Sequence, residues 1–357
     1  MPKIKNIQVW SADLGNTKPY TIAFKTVDEV KNVFVEITLD NGVTGIGSGN
    51  PSEYVVGENL GQCIEALQEK NLEFLIGRDI YEVSQLQYEI VQKFPKNPSA
   101  RAALDIALYD VLTKHLDIPL VKFLGQKIKT LPTSNTIGIK NVEETVKEAG
   151  EYIRNGFQVL KVKLGKNLEE DIERLVKIRE KHGGDVIIRI DANQGYTVEQ
   201  TISFYKRTET LNIELIEQPL PAKSIQEMKS LPDEIKNVIA ADESLISPKD
   251  AIQLIKPPYA SKIFNIKLMK CGGPSQGLKI ADIASYENVD LFWGCNDESI
   301  VSITAALHTA FSCANTKYID LDGSLDLGND VVRGGFILKD GMMSCADRPG
   351  LGVERIR

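Results

Sequence analysis

Histidine is scarce in this chain, with three residues (His115, His182 and His308) among 357. A Ser-His-Asp arrangement or a histidine-based metal cluster is implausible with so few imidazoles, so acid–base work falls to lysine or carboxylate. Each histidine sits in or at the end of a helical pattern ("YDVLTKHLD", "EKHGG", "ITAALHTAF") and reads as a packing or surface residue. The five cysteines are scattered, odd in number and without a C-x-x-C pair. That suits reduced thiols and argues against a disulfide framework or a zinc site. No apolar run is long enough to span a bilayer. The opening "MPKIKNIQVW" reads as a first strand and lacks the apolar core of a secretion signal, so a cytoplasmic location is expected. A formal net charge of -7 with no basic cluster argues against nucleic acid or a membrane surface as partner.

What is present changes in texture near residue 130. Before it, residues 3–13 and 31–40 read as antiparallel strands, continuing after "NG" into "VTGIGSG". No helix promptly follows those glycines, so they read as a turn or bulge and not as a phosphate loop. Helical patterns follow at about 57–76, 80–94 and 98–116, the last alanine-rich and amphipathic. After residue 130, eight strand-like runs alternate with helical stretches: "LPTSNTIGI", "VLKVKLG", "VIIRIDAN", "IELIEQP", "VIAADES", "IFNIKLMK", "VDLFWGC" and "YIDLDG". They look buried on both faces, as in a parallel sheet covered by helices. Eight units favour a closed barrel of the (β/α)8 type over an open doubly wound sheet, and no dinucleotide fingerprint opens any helix.

Polar residues recur at the C-terminal ends of these runs: Lys161 and Lys163, Asp191, Glu217, Asp242, Lys267, Asp297, then Asp320 and Asp322. Lys163, Asp191, Glu217, Asp242 and Lys267 follow one another at intervals of 28, 26, 25 and 25 residues. That is the length of one strand–helix unit in a barrel of about 200–250 residues. In a barrel those positions converge on one mouth. Three carboxylates brought together call for a hard divalent cation, and oxygen-only ligands point to Mg²⁺, with Mn²⁺ as a substitute. Carboxylates paired only with lysines are the alternative. Lys161 and Lys163 share a strand face, where like charge and burial would depress their pKa values. With Lys267 one strand beyond the carboxylates, the lysines would flank a bound substrate. That geometry serves proton removal on one face and return on the other.

Together, K-x-K (Lys161, Lys163), "DAN" (191–193), "EQP" (217–219), "ADES" (241–244) and "NIKLMKCGG" (265–273) closely resemble the enolase superfamily, in its muconate-lactonizing-enzyme subgroup. The resemblance extends over essentially the whole chain. It implies a modified TIM barrel, (β/α)7β, at residues 126–324. An α+β capping domain at 1–125 would be completed by the tail at about 325–357. It further implies Asp191, Glu217 and Asp242 as Mg²⁺ ligands and Lys163 and Lys267 as the acid/base pair. The α-proton beside a substrate carboxylate would be removed through a metal-stabilised enediolate. Lys161 would contact the carboxylate, and Asn193 and Asn265 would support the ligands.

The subgroup includes muconate cycloisomerases, o-succinylbenzoate synthases, N-acylamino acid racemases and dipeptide epimerases. Asp320 and Asp322 resemble the D-x-D with which dipeptide epimerases hold a substrate ammonium. Lys25, in "TKPYTIAFKTVDEV", resembles the basic residue that meets a glutamate side chain. Thr136 completes the substrate-binding set with Lys25, Lys161, Asp297, Asp320 and Asp322. The expected substrate is L-Ala-L-Glu, a small dipeptide, inverted at its C-terminal residue. Asp297 departs from the mostly apolar residue of the family pattern, while Glu298 keeps its glutamate, and an anion there would favour a cationic side chain instead. A Schiff-base aldolase and a non-catalytic binding barrel are the readings from other classes. Assembly as a homo-oligomer is expected of such barrels.

Overall fold

The structure is a computed structural model and describes residues 1–17, 20–21, 26–27 and 29–356. Eight parallel strands form one sheet: Ser134–Ile137, Val159–Lys163, Ile187–Asp191, Ile213–Glu217, Ile239–Ala241, Ile263–Ile266, Asp290–Trp293 and Thr316–Ile319. They lie side by side in chain order, and a parallel bridge between Thr133 and Ile319 brings the last strand to the first. Helices fill the seven connections between them, including Leu168–His182, Pro274–Tyr286 and Ile300–Ser312. After the eighth strand the chain leaves without a further barrel helix, so the architecture is (β/α)7β. Each strand's outward residues, such as Leu160, Val162, Ile188 and Ile190, pack under these helices. Inward residues Leu215, Ala240, Ile263 and Phe292 fill the lower barrel. Among the described residues, no helix is long and apolar enough to cross a membrane.

The N-terminal part is a three-stranded antiparallel sheet, Ile4–Asp13, Lys31–Leu39 and Thr44–Gly49, covered by helices Val83–Lys93 and Pro98–His115. The pattern expected as one helix at 57–76 is broken into Leu60–Ala66 and Glu69–Leu72 by extended backbone at Gln68. Pro98–His115 is not amphipathic. Fifteen of its 18 residues are buried, because it lies between the small sheet and the barrel. A helix covered on all sides has no polar face to show in its sequence.

The glycines of "VTGIGSG" form neither a turn nor a bulge. Gly45, Gly47 and Gly49 alternate along one face of a strand, and a Cβ on them would strike backbone at Val111, Ala103 and Ser99 respectively. Those helix residues lie on a four-residue spacing with Ala107, one face of Pro98–His115. Helix and strand therefore meet backbone to backbone. The tail returns to this part through Asp110, which accepts from Ile46 N at 2.8 Å and Leu351 N at 2.8 Å. Arg355 also pairs with Glu36 at 3.0 Å.

Of the three histidines, His115 and His182 are half-exposed and hydrogen-bonded to Asn41, Tyr81 and Val146 O, and only His308 is a packing residue. His308 is buried with Nδ1 accepting from Val121 N at 3.1 Å, and burial pushes its pKa down to about 3. Gly47→Ala should destabilise the fold by about 1–3 kcal/mol, the usual cost of overpacking, since backbone on both sides must move. Gly61→Ala, with nothing closer than Asn59 at 3.4 Å, should be tolerated. Thermal melts of the two variants check this.

Candidate active site at the barrel mouth

A strand turns successive side chains to opposite faces, so every second residue points into the barrel. Above the apolar layer, this alternation carries Leu215 to Glu217, Arg189 to Asp191 and Ala240 to Asp242. Pairing sets the level: Lys163 is in register with Asp191, and Asp191 with Glu217. One oxygen of each of Asp191, Glu217 and Asp242 lies within 4.8 Å of the others, and all three residues are buried. The ends of these strands are irregular. Asn193, Gln194 and Gln218 have φ of 44°, 66° and 33°, a left-handed backbone that costs side-chain-bearing residues about 1–3 kcal/mol. Gln218 Oε1 accepts from Asp242 N at 2.9 Å and Ser244 Oγ at 2.9 Å, which ties the second carboxylate's strand to the third's.

Lysines surround the carboxylates. Lys163 Nζ lies 2.6 Å from Asp191, and Lys267 Nζ lies 2.8 Å from Asp242, at opposite ends of the triad. Lys161 Nζ reaches Asp320 at 2.8 Å, Glu217 at 2.7 Å and Asp191 at 3.4 Å. Burial opposes the charge on Lys161, but these carboxylates outweigh it and hold its pKa well above the ordinary lysine value. The depression expected from its neighbour Lys163 is therefore reversed, because three anions converge on Lys161. Burial opposes ionisation of Asp242 too, yet Lys267 and Lys270 keep it well below the usual carboxylate range.

Glu217 is the odd member. Burial and the charges of Asp191 and Asp242 push it up to about 8 despite Lys161. Its Oε1 accepts from Asn265 Nδ2 at 2.7 Å, while Oε2 has a charge contact to Lys161 without hydrogen-bond alignment. Buried Asn193 Oδ1 and Asn265 Oδ1 likewise lack hydrogen-bond partners. Positive charge is thus still short at the centre, and the acceptors there are all oxygen. Asp191, Glu217 and Asp242 fit a hard divalent cation.

Two family models match the chain: the mandelate racemase / muconate lactonizing enzyme N-terminal domain over residues 6–125, and the enolase C-terminal domain-like family over 144–355. The chain belongs to the enolase superfamily. It is 51% identical to the L-Lys-D/L-Arg epimerase of Desulforapulum autotrophicum, over 99% of this chain and 100% of that one. It is 35% identical to the L-Ala-D/L-Glu epimerase of Clostridium acetobutylicum, over 99% of each. The crystal structure of the Methylococcus capsulatus dipeptide epimerase with Mg and L-Arg-D-Lys superposes with a TM-score of 0.97 at 48% identity, covering 98% of this chain and 99% of that one.

In this member of the superfamily a pocket lined by Lys161 and Lys163, both paired with Asp191, also takes in Thr136, Asp297, Asp320 and Asp322, so most of the anticipated substrate-binding set converges, while Lys267 lies off its wall. Lys25 lies outside the described residues. Asp320 is occupied by Lys161 and by Ser134 Oγ at 2.6 Å, whereas Asp322 Oδ2 accepts from Thr136 N at 2.8 Å. Burial and the nearby Asp320 charge push Asp322 up to about 7.

Sequence reasoning missed Lys270, buried three residues after Lys267. Its Nζ donates to Asp242 Oδ1, to Asp242 O at 2.7 Å and to Asn265 O at 2.9 Å. The second lysine of "KLMK" was the available signal. Asp326, Lys140 and Glu148 on the pocket wall were also missed, since nothing in their spacing sets them apart from surface residues.

Mg²⁺ should raise the melting temperature, by mass action worth about 2.7 kcal/mol at a hundredfold excess over Kd. Glu217→Gln should remove that increment while leaving a cooperative melt. An unchanged Mg²⁺ response in the variant would exclude Glu217 as a ligand.

Proposed function

We propose that this chain is an epimerase of dipeptides with cationic side chains, inverting the α-carbon of the C-terminal residue between Lys163 and Lys267. The observation that carries the reaction is the placement of these lysines at opposite ends of the carboxylate triad, 2.6 Å from Asp191 and 2.8 Å from Asp242. A divalent cation held by Asp191, Glu217 and Asp242 would compete with the lysines for those carboxylates and supply the charge that favours loss of an α-proton beside a carboxylate. Lys161, buried between the triad and Asp320, positions the substrate carboxylate. One lysine takes the α-proton from its face while the other delivers a proton from the opposite face. The reaction is reversible, and the two lysines exchange roles with its direction.

Charge on the pocket wall supports the choice of substrate. Asp297, Asp320, Asp322 and Asp326 line it, and the nearby Lys140 is already tied to Glu148 at 2.7 Å. The substrate's α-ammonium belongs beside Asp320 and Asp322, where an N-acyl group would bring no cation. Asp297 then favours a lysine or arginine side chain. The L-Ala-D/L-Glu expectation rested on Lys25. The alternative set by Asp297 agrees with relatives named for L-Lys-D/L-Arg and with the L-Arg-D-Lys bound in the Methylococcus capsulatus structure.

Charge-assisted contacts of this kind are worth about 1.5–3 kcal/mol, or roughly ten- to a hundredfold in specificity. The kcat/KM for L-Lys-L-Arg should exceed that for L-Ala-L-Glu by at least that factor. Asp297→Asn should narrow the gap. A wild-type preference for L-Ala-L-Glu would overturn the cationic assignment and leave the two-lysine chemistry standing.

A further inference from the structure

Lys267 and Lys163 are held in different ways. Lys163 ends the second barrel strand, in register with Asp191 of the third, and the residue before it, Val162, is in register with Ile137 of the first. Lys267 lies just past the sixth strand, at the start of the short helix Leu268–Cys271. The main chain there turns sharply: Gly272 N and Gly273 N both donate to Leu268 O at 2.9 Å, and the two glycines have φ of 93° and 105°. Pro274–Tyr286 begins immediately afterwards.

The far side of this turn is gripped by the buried helix Pro98–His115. Arg101 Nη2 donates to Cys271 O at 3.3 Å, and Asp105 Oδ2 accepts from Ser275 N at 2.7 Å, in the first turn of Pro274–Tyr286. The glycines make the grip possible. A Cβ on Gly272 would lie 2.5 Å from Arg101 Nε, and one on Gly273 would lie 2.5 Å from Asp105 Oδ2. "CGG" therefore admits two side chains of the N-terminal part against the backbone that carries Lys267. Asp105 is buried, and an anion facing the N–H groups of a helix's first turn is favourably placed. Arg101 Nε and Asp105 Oδ1 are buried atoms with no hydrogen-bond partner. Polar groups are thus retained at this contact although burying them is costly.

We propose that Arg101 and Asp105 are positioning residues for Lys267. They act through the Cys271–Ser275 turn, so that the N-terminal part of the chain sets the geometry of one of the two bases and not the other. This rests on the assignment of Lys163 and Lys267 as the two bases. Its consequence is an asymmetry: weakening the grip slows proton transfer on one face of the substrate. General loosening of the fold would slow both faces together.

The test is α-proton exchange in D₂O with Mg²⁺, followed separately for L-Lys-L-Arg and L-Lys-D-Arg. Lys163→Ala and Lys267→Ala serve as references that identify which epimer each lysine deprotonates. Asp105→Ala should lower the exchange that depends on Lys267 by about tenfold or more, since small misplacements of catalytic groups are that costly. It should leave the Lys163-dependent exchange within about twofold. Asp105→Asn, whose side-chain oxygen can still accept from Ser275 N, should recover most of the loss. Equal losses for both epimers, or no loss for either, would overturn the proposal. If Asp105→Ala fails to fold, Arg101→Met is read by the same criterion. If the two reference variants do not separate the epimers, the two-base reading itself fails and the positioning proposal falls with it.

Discussion

The crowding of three carboxylates in a buried barrel mouth is the constraint from which the site follows. Asp191, Glu217 and Asp242 come from adjacent strands, and their oxygens approach within 4.8 Å. Anions that close and that buried would be neutralised by protonation unless cations met them. Lys161, Lys163, Lys267 and Lys270 supply that charge in part, and Glu217, raised to about 8, marks where it runs short. The left-handed backbone at Gln218 belongs to the same crowded mouth, where its side chain accepts from Asp242 N and Ser244 Oγ.

The same crowding sets the charge state of Lys267. An isolated buried lysine sheds its proton readily. Lys267 beside Asp242 does the opposite: burial works against its charge, yet Asp242 and Glu217 hold its pKa above the ordinary value. On the proposed two-lysine reading, whatever draws those carboxylates away would also free the lysine to act as a base, and metal binding would be coupled to acid–base readiness through shared anions. Breaking either partnership would leave an uncompensated buried charge, which is far costlier than losing a surface ion pair.

The N-terminal part is joined to the barrel by close contact and not by a flexible seam. Helix Pro98–His115 lies backbone to backbone on the strand Thr44–Gly49 and presents Arg101 and Asp105 to the turn behind Lys267. Glycine is used twice for the same physical purpose: in "VTGIGSG" it lets a helix approach a strand, and in "CGG" it lets side chains approach a turn. Taken as a string, "VTGIGSG" resembles a loop, because a missing Cβ looks alike whether it permits a turn or an approach, and in "CGG" it permits both.

The barrel and its ring of polar residues were legible from the chain alone because both rest on local periods. Side chains alternate every two residues in a strand, and one strand–helix unit repeats about every 25–28 residues. Lys163, Asp191, Glu217, Asp242 and Lys267 could therefore be placed at one mouth before any contact was known. Only the tertiary structure decided which groups meet. Register and side-chain reach settled that Lys161 belongs to Asp320 and Glu217, and that Lys270 holds Asp242. They also settled that Asp322, not Asp320, accepts from Thr136 N. The burial of Pro98–His115 on nearly every side was likewise a matter of packing between distant segments. Such contacts depend on ångström-scale approach between residues from 28 positions apart, as for Lys270 and Asp242, to 186, as for Asp322 and Thr136, and no local period records that.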